Sequence, residues 1–598
     1  MPEHDDRYSY LHILCLVIGI TILWFFRGYF LAPEGWGRLA PDEAQRAWHA
    51  LRVTNGEIPY RDFWVQYTPF SFYWHALLFK IFGPSLHSIR IGLFVCGSLL
   101  LLLLFSITRK LAGGFSPVLA MTLFVSFGIL CYNSGYPAWY AMAFSMGSLA
   151  LLLRSRPNKF STVLAGMLAG MAVLTKVNIG VFSFLAFMVV LSSHLTTVYR
   201  IGISSMCFIA VSWLLRGVPS ATSIPQFLLP LGLVLFAFSR CGDDTHRIPT
   251  SHLGLGIGGF AAAAVIGSLP FLNAVGFQGL WSAFITEPLR FAPHIAYHSP
   301  IWSLSKLTYV TAIVWVAAVF VCRFHHEKWY LCGAIILLGV LPFLAEAITL
   351  SRRFYISAGF RFLLIPILLI GTAVFLLRRD RSIRKPLIAV VAVWTAFTAI
   401  QVHPGQNNMH IAWAYVAVWP LLSAIGSLSG KHRFHGILIV LPLSLCLAQL
   451  SGDMAQLKHI HWTRLDVDRG GILIPAKDTG PIENVLNELN DLPPQTPVLD
   501  LTSGCLMAFL AERSCPLRHG YFWFRFLTES AQSTEVALLE KEPPPVAVRR
   551  SKGGSQFRWD SIRQYAPILG YWVDETYEVV NTIGPYEILL KTGRRLPG

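Results

Sequence analysis

The sequence predicts an α-helical polytopic membrane protein of about 11 to 15 transmembrane helices, followed by a small C-terminal α/β domain. Three observations predict it. Long apolar stretches recur through residues 1–451. Lys and Arg gather in the gaps at alternate ends of those stretches. From residue 452 onward Asp, Glu, Lys and Pro become common and the long apolar runs stop.

Composition supports lipid as the solvent. The chain has 598 residues, of which 54% are hydrophobic and 13% charged, and its mean hydropathy is +0.53. A water-soluble protein this apolar would expose large adhesive patches. The net charge of +16 is scattered over short loops rather than gathered on one face. That fits the positive-inside bias of cytoplasmic loops and excludes nucleic acid as the expected partner.

The elements follow in order. The N-terminus opens with acids, runs straight into a long apolar stretch and has no small-residue cleavage site, so a retained first span is expected. A span needs roughly 20 apolar residues. Spans are expected near 11–31, 90–107, 115–133, 138–153, 160–178, 179–198, 201–215, 225–239, 253–275, 305–322, 329–349, 360–377, 386–402, 411–428 and 436–451. One set of gaps holds Arg109-Lys110, Arg154 to Lys159, Arg200, Arg240 to Arg247, Arg323 to Lys328, Arg378 to Lys385 and Lys431-Arg433. That set should be cytoplasmic. The opposite set comprises 32–88, 132–138, 276–304, 350–360, 402–411 and everything after 452; its loops are richer in aromatics, Pro, His and carboxylates.

Two of the opposite loops are too long to be turns. Residues 32–88 read as one or two interfacial helices, with the aromatic tract at 68–83 lying at the lipid surface. Residues 276–304 mix Trp, Pro and His and read as a lid at the headgroups. After 452, strand-like and helix-like runs alternate at 485–489, 498–503, 505–512, 537–550 and 577–593. The domains are therefore expected at 1–451 and 452–598. Ten cysteines show no CxxC pair and no metal spacing. Cys505 and Cys515 stand apart in the polar tail and could pair in an oxidising compartment.

The sharpest chemical signal follows the first span. Asp42 and Glu43 open a short helix after Pro41, as suits a helix N-terminus. They also sit directly beyond a membrane span, where a partly desolvated carboxylate can act as general base. Tyr60-Arg61-Asp62-Phe63 comes next. Arg61 and Asp62 can form a surface ion pair worth under about 1 kcal/mol; alternatively Arg61 helps to bind an anionic headgroup.

These residues carry a resemblance. A first outer loop with Pro41-Asp42-Glu43-Ala44, Gly56 and Pro59-Tyr60-Arg61-Asp62-Phe63, then FGPSLHSIR at 82–90, resembles bacterial GT-C glycosyltransferases. The family 39 group, with the protein O-mannosyltransferases and the aminoarabinose transferase acting on lipid A, is the nearest likeness. LTKVNIG at 174–180, SRRF at 351–354 and HPGQNNMHI at 403–411 add to it. The resemblance implies a GT-C fold and transfer of a sugar, with inversion, from a polyprenyl-phosphate carrier. The acceptor would be a lipid, glycan or protein at the outer face of the inner membrane. It places the catalytic acid on Asp42, with Glu43 beside it. The second outer loop, 131–140, carries no acid, and Tyr60-Arg61-Asp62-Phe63 stands where the mannosyl and aminoarabinosyl enzymes carry a Lys.

Displacing a lipid phosphate at an anomeric carbon requires a base for the acceptor and cations for the leaving group. Arg61, Lys176, Arg352 and Arg353 are the expected phosphate ligands. A charge at mid-membrane costs roughly 2.5–3.5 kcal/mol, so each such residue needs a partner or a purpose; Arg361 fits lipid snorkelling better. Tyr60, Asp62, His410 and Glu346 are expected beside the substrate, with Glu346 as an alternative partner for the arginines. Asp42, Glu43 and His410 could hold a divalent cation, although no spacing demands one. A flippase of lipid-linked sugars, or a polysaccharide polymerase or ligase, remains the alternative.

Overall fold

The computed structural model describes residues 7–26, 41–130, 133–154, 158–193, 195–218, 223–241, 251–287, 289, 365–366, 368–377, 385–402, 408–428, 460–502, 504–520, 528–550 and 562–593. The expected spans at 305–322, 329–349 and 436–451 lie outside the described residues, as do Glu346, Arg352, Arg353 and Arg361.

The apolar part runs α1 (Arg7–Phe26), α2 (Pro41–Thr54), α3 (Phe70–Phe82), α4 (Leu86–Leu111), α5 (Ser116–Phe124), α6 (Pro137–Leu152), α7 (Lys159–Thr175), α8 (Val177–Ser192), α9 (Thr197–Leu214), α10 (Leu229–Arg240), α11 (Ser251–Trp281), α12 (Lys385–Ala399) and α13 (Asn408–Leu428). Among the described residues four helical stretches, 86–111, 197–214, 251–286 and 385–402, are long and apolar enough to cross a bilayer; shorter apolar helices stand among them. The chain is a multi-pass membrane protein. Helices satisfy their own backbone groups, which is what lipid requires.

The long first loop holds two helices. α2 is amphipathic and carries Asp42 and Glu43 in its first turn. α3 has only 13 residues, too few to span. It buries Phe72, His75, Ala76 and Phe79 and exposes Leu77, Ile81 and Phe82. Two boundaries differ from the sequence reading. α11 continues past residue 275 to Trp281, with a break at Gly276 (φ 70°), because Phe277 and Trp281 extend its apolar surface. The lid expected from 276 is therefore helical at its start. The turn expected near 178 falls at Lys176, whose extended backbone (φ −156°, ψ 110°) ends α7 and opens α8. Gly180 permits this tight turn, since a Cβ there would lie 2.2 Å from the Val173 nitrogen.

α7 crosses α11 on glycines. A Cβ at Gly166 would sit 2.1 Å from the Gly256 carbonyl oxygen, and one at Gly259 would sit 2.3 Å from that of Val163. Small residues let membrane helices approach this closely. Gly166→Ala is therefore expected to lower stability by about 1–3 kcal/mol. Gly202→Ala, with open space around it, is the control and should cost nothing. Thermal unfolding in detergent compares the two.

The tail folds into the expected α/β unit. β1 (Trp462–Arg464) pairs antiparallel with β2 (Leu473–Pro475), followed by α14 (Ala476–Asn490). Then come β3 (Val498–Leu501), α15 (Leu506–Leu510), α16 (Glu529–Lys541), β4 (Val546–Arg550), α17 (Pro567–Thr576), β5 (Tyr577–Ile583) and β6 (Tyr586–Lys591). The sheet order is β3-β4-β6-β5, with β3 parallel to β4 and the other pairs antiparallel. Its core is continuous with the first loop: Ala44, Ala47, Trp48 and Ala50 of α2 and Phe79 of α3 pack with Leu506, Phe509 and Leu510.

Candidate active site at the junction of the loops

α2 is held on two sides. Arg52 donates to Glu57, to the Asp62 carbonyl at 3.0 Å and to the Leu517 carbonyl at 2.8 Å. Arg518 donates to the Tyr60 carbonyl at 2.9 Å, and its own carbonyl accepts from the Trp64 backbone N–H at 3.0 Å. Trp64 stacks on His519 and donates through its indole to Glu287 at 2.8 Å. The first loop is thus clamped between the C-terminal domain and the segment after α11.

The two acids of α2 diverge. Glu43 is fully buried and paired with Arg90 of α4, through Nε–Oε1 at 2.8 Å and Nη2–Oε2 at 2.9 Å. Burial pushes its carboxyl up, opposed by the Arg90 and Arg46 charges. This pair ties α2 to α4. Asp42 keeps 20% of its side chain exposed and accepts from the Tyr136 hydroxyl at 2.9 Å.

Around Asp42 lie two buried basic side chains. Arg46, one helical turn on, comes within 4.0 Å of the Asp42 carboxylate and stacks over the Tyr136 ring at 3.9 Å. Its Nη1 donates to Ser134 at 3.4 Å, while Nε and Nη2 have no hydrogen-bond partner among the described residues. Lys176, at the α7–α8 turn, rests its ammonium 3.9 Å above the Trp413 ring and 5.9 Å from that of Tyr67. Burial, with the Arg46 charge, lowers the Lys176 ammonium to about 7, opposed by the Asp42 charge. Burial, with the Asp42 charge, pushes the Tyr67 phenol up to about 12, so it stays protonated near neutral pH. Burial also holds His49 well below its ordinary value and hence neutral; its ring packs on Phe63 and Phe72. His410 meets the other edge of the site, 4.9 Å from Trp413.

The remaining sequence candidates have local occupations. Arg61 is half-exposed and forks onto Asp62 at 2.9 and 2.7 Å. The Asp62 carboxyl is drawn below its ordinary value by Arg61, and it accepts from the Ile58 N–H at 2.7 Å. Tyr60, in left-handed backbone at φ 71°, donates to the Tyr67 carbonyl at 2.9 Å. Arg90 engages Glu43, and among the described residues no three His, Cys, Asp or Glu side chains converge as a metal site.

No family model matches the chain, and none of the curated proteins matches it. Among solved structures it is similar to the oligosaccharyltransferase AglB of Archaeoglobus fulgidus in complex with an inhibitory peptide and a dolichol-phosphate. That likeness has 13% identity and a TM-score of 0.43, covering 99% of this chain and 75% of that one. A second structure of the Archaeoglobus fulgidus enzyme, with Zn and sulfate, gives 14% identity and a TM-score of 0.42, over 94% of this chain and 71% of that one. ArnT from Cupriavidus metallidurans bound to undecaprenyl phosphate gives 14% identity and a TM-score of 0.36, over 98% of this chain and 99% of that one. Scores this low say nothing of chemistry, which rests on the side chains around Asp42.

Arg46, Tyr67, Tyr136 and Trp413 are absent from the sequence candidates. Arg46 carried a usable signal: it lies at i+4 from Asp42 and so shares its helix face. The aromatics come from two separate loops and from α13, and no local pattern unites them.

Proposed function

We propose that this protein is a GT-C-type glycosyltransferase. It moves a hexosyl or pentosyl group from a polyprenyl-phosphate donor to a hydroxyl of a lipid, glycan or protein acceptor. The reaction would take place at the outer face of the inner membrane, with the C-terminal domain on that side. One observation carries the reading: a partly exposed carboxylate, Asp42, shares a cluster with two buried basic side chains, Arg46 and Lys176, and the Arg46 fork faces Asp42, Tyr67 and Tyr136.

The chemistry follows from that set. The acceptor oxygen attacks the anomeric carbon and gives its proton to Asp42. The bond from that carbon to the phosphate oxygen breaks, and the electron pair leaves with polyprenyl phosphate. Attack in line with the leaving group inverts the anomeric centre. Arg46 offers a planar fork for phosphate oxygens, and Lys176 a point charge. Tyr136 orients the Asp42 carboxylate. Arg352 and Arg353 would complete the phosphate site.

The test uses protein reconstituted in lipid with a radiolabelled polyprenyl-phosphate sugar. Consumption of donor with release of polyprenyl phosphate is expected; a donor that only crosses the bilayer intact would support a flippase and overturn the reading. Arg46→Gln and Lys176→Met should each raise the donor KM about 10- to 100-fold, the range for a lost hydrogen bond to a charged group. Arg352→Ala or Arg353→Ala should also raise it. An unchanged KM in any of these removes that residue from the phosphate site.

A further inference from the structure

We propose that Cys505 and Cys515 form a disulfide that locks the C-terminal domain where it grips the first loop. The two sulfurs lie 3.6 Å apart and both side chains are buried. Closing that gap to the roughly 2.05 Å of a disulfide takes less movement than a change of rotamer. The loop that presents Cys505 is already fixed. The Asp500 carboxylate accepts from the Thr502 N–H at 2.8 Å, the Thr502 hydroxyl at 2.6 Å and the Ala508 N–H at 2.8 Å. Cys505 itself stands in left-handed backbone, φ 52°, just before α15.

The bond would join the two parts of the domain that touch the loop. α15 shares a core with α2, and its Phe509 stacks on Phe79 of α3. The segment from Cys515 to Gly520 supplies the Leu517 carbonyl to Arg52 and the Arg518 contacts to Tyr60 and Trp64. Gly520 also bonds back to the Cys505 loop, accepting from the Gly504 N–H at 2.6 Å, and lies against Trp48 of α2. Neither half of this contact can then slide without the other.

The inference rests on the proposed placement of the domain outside the cytosol, where thiols are oxidised. The two thiols give up two protons and two electrons as the S–S bond forms. A dithiol oxidase of the envelope supplies a disulfide, takes up the electrons and leaves as a dithiol. Burial holds the Cys505 thiol well above its ordinary range, so in the folded protein that thiol is a poor nucleophile, and the bond is set as the domain folds.

The test uses the full-length protein isolated without reductant, unfolded in iodoacetamide, digested and weighed. The expected result is that Cys505 and Cys515 peptides run joined and unlabelled, lighter by two hydrogens than the dithiol form, and take up label only after reduction. Label on both before reduction overturns the inference. A second arm places a reporter thiol on the exposed face of β5, Glu578→Cys, and treats intact cells with a membrane-impermeant maleimide. Label at 578 with free Cys505 and Cys515 sinks the disulfide and leaves the functional reading standing. An unlabelled 578 with a joined pair keeps the bond and overturns the outer placement.

Discussion

Asp42→Asn is expected to lower kcat about a hundred- to ten-thousand-fold, the range that a positioned general base contributes. The donor KM should barely move, because the cations that meet the phosphate stay in place. The fold should also survive. The amide is isosteric, it still offers an oxygen to the Tyr136 hydroxyl, and the site is partly open to solvent. Steady-state transfer from a labelled donor and a melting curve in detergent measure the two halves of the prediction. Turnover within a few-fold of the parent enzyme would remove Asp42 as the base. An Asn variant that fails to fold would instead make Asp42 a structural residue like its neighbour.

Arg90→Leu should act on the opposite quantity. It strands Glu43 in a site with almost no solvent contact, and breaking one side of a buried ion pair costs about 3–5 kcal/mol. The double variant Glu43→Leu with Arg90→Leu leaves no stranded charge and should recover much of that loss. Melting temperatures of the parent, Arg90→Leu, Glu43→Leu and the double variant form a closed cycle. Equal melting of Arg90→Leu and the parent would mean that the pair contributes nothing to holding α2 on α4. Because Glu43 adjoins Asp42, any surviving Arg90→Leu protein should also turn over more slowly at an unchanged donor KM.

The helical bundle was legible in the sequence because lipid imposes a single demand. Every backbone group must bond within its own segment, so spans appear as long apolar runs. The tail was legible for a related reason: its strands are short β-branched and aromatic runs, such as Val546–Arg550 and Tyr577–Ile583, cut by Gly and Pro. The site was only half legible. Asp42 stood out through its position after the first span. Glu43 looked equivalent to it, since adjacent residues in a sequence give no sign that helix geometry sends one toward Arg90 and leaves the other facing Tyr136. Arg61 looked available because its partner, Asp62, is also its neighbour. Arg46 was overlooked although its spacing from Asp42 marked a shared face. Trp413, which carries Lys176, is more than two hundred residues away from it in the chain, and only the folded bundle brings such distant side chains together.

The clamp on the first loop has a consequence for how such chains diversify. Arg52 and Trp64 meet the tail through the main-chain carbonyls of Leu517 and Arg518, while the Arg518 guanidinium reaches the Tyr60 carbonyl and the His519 ring stacks on Trp64, so the contact reads the path of the backbone together with two side chains. Point changes in the tail away from Arg518 and His519 should therefore drift more freely than those two positions, and an insertion or deletion between 515 and 520 would throw the two surfaces out of register. Chimeras that graft a foreign tail should work only when residues 41–90 travel with it. In exchanges of that kind the opening helix and the tail form one heritable module, split by the length of the whole membrane bundle.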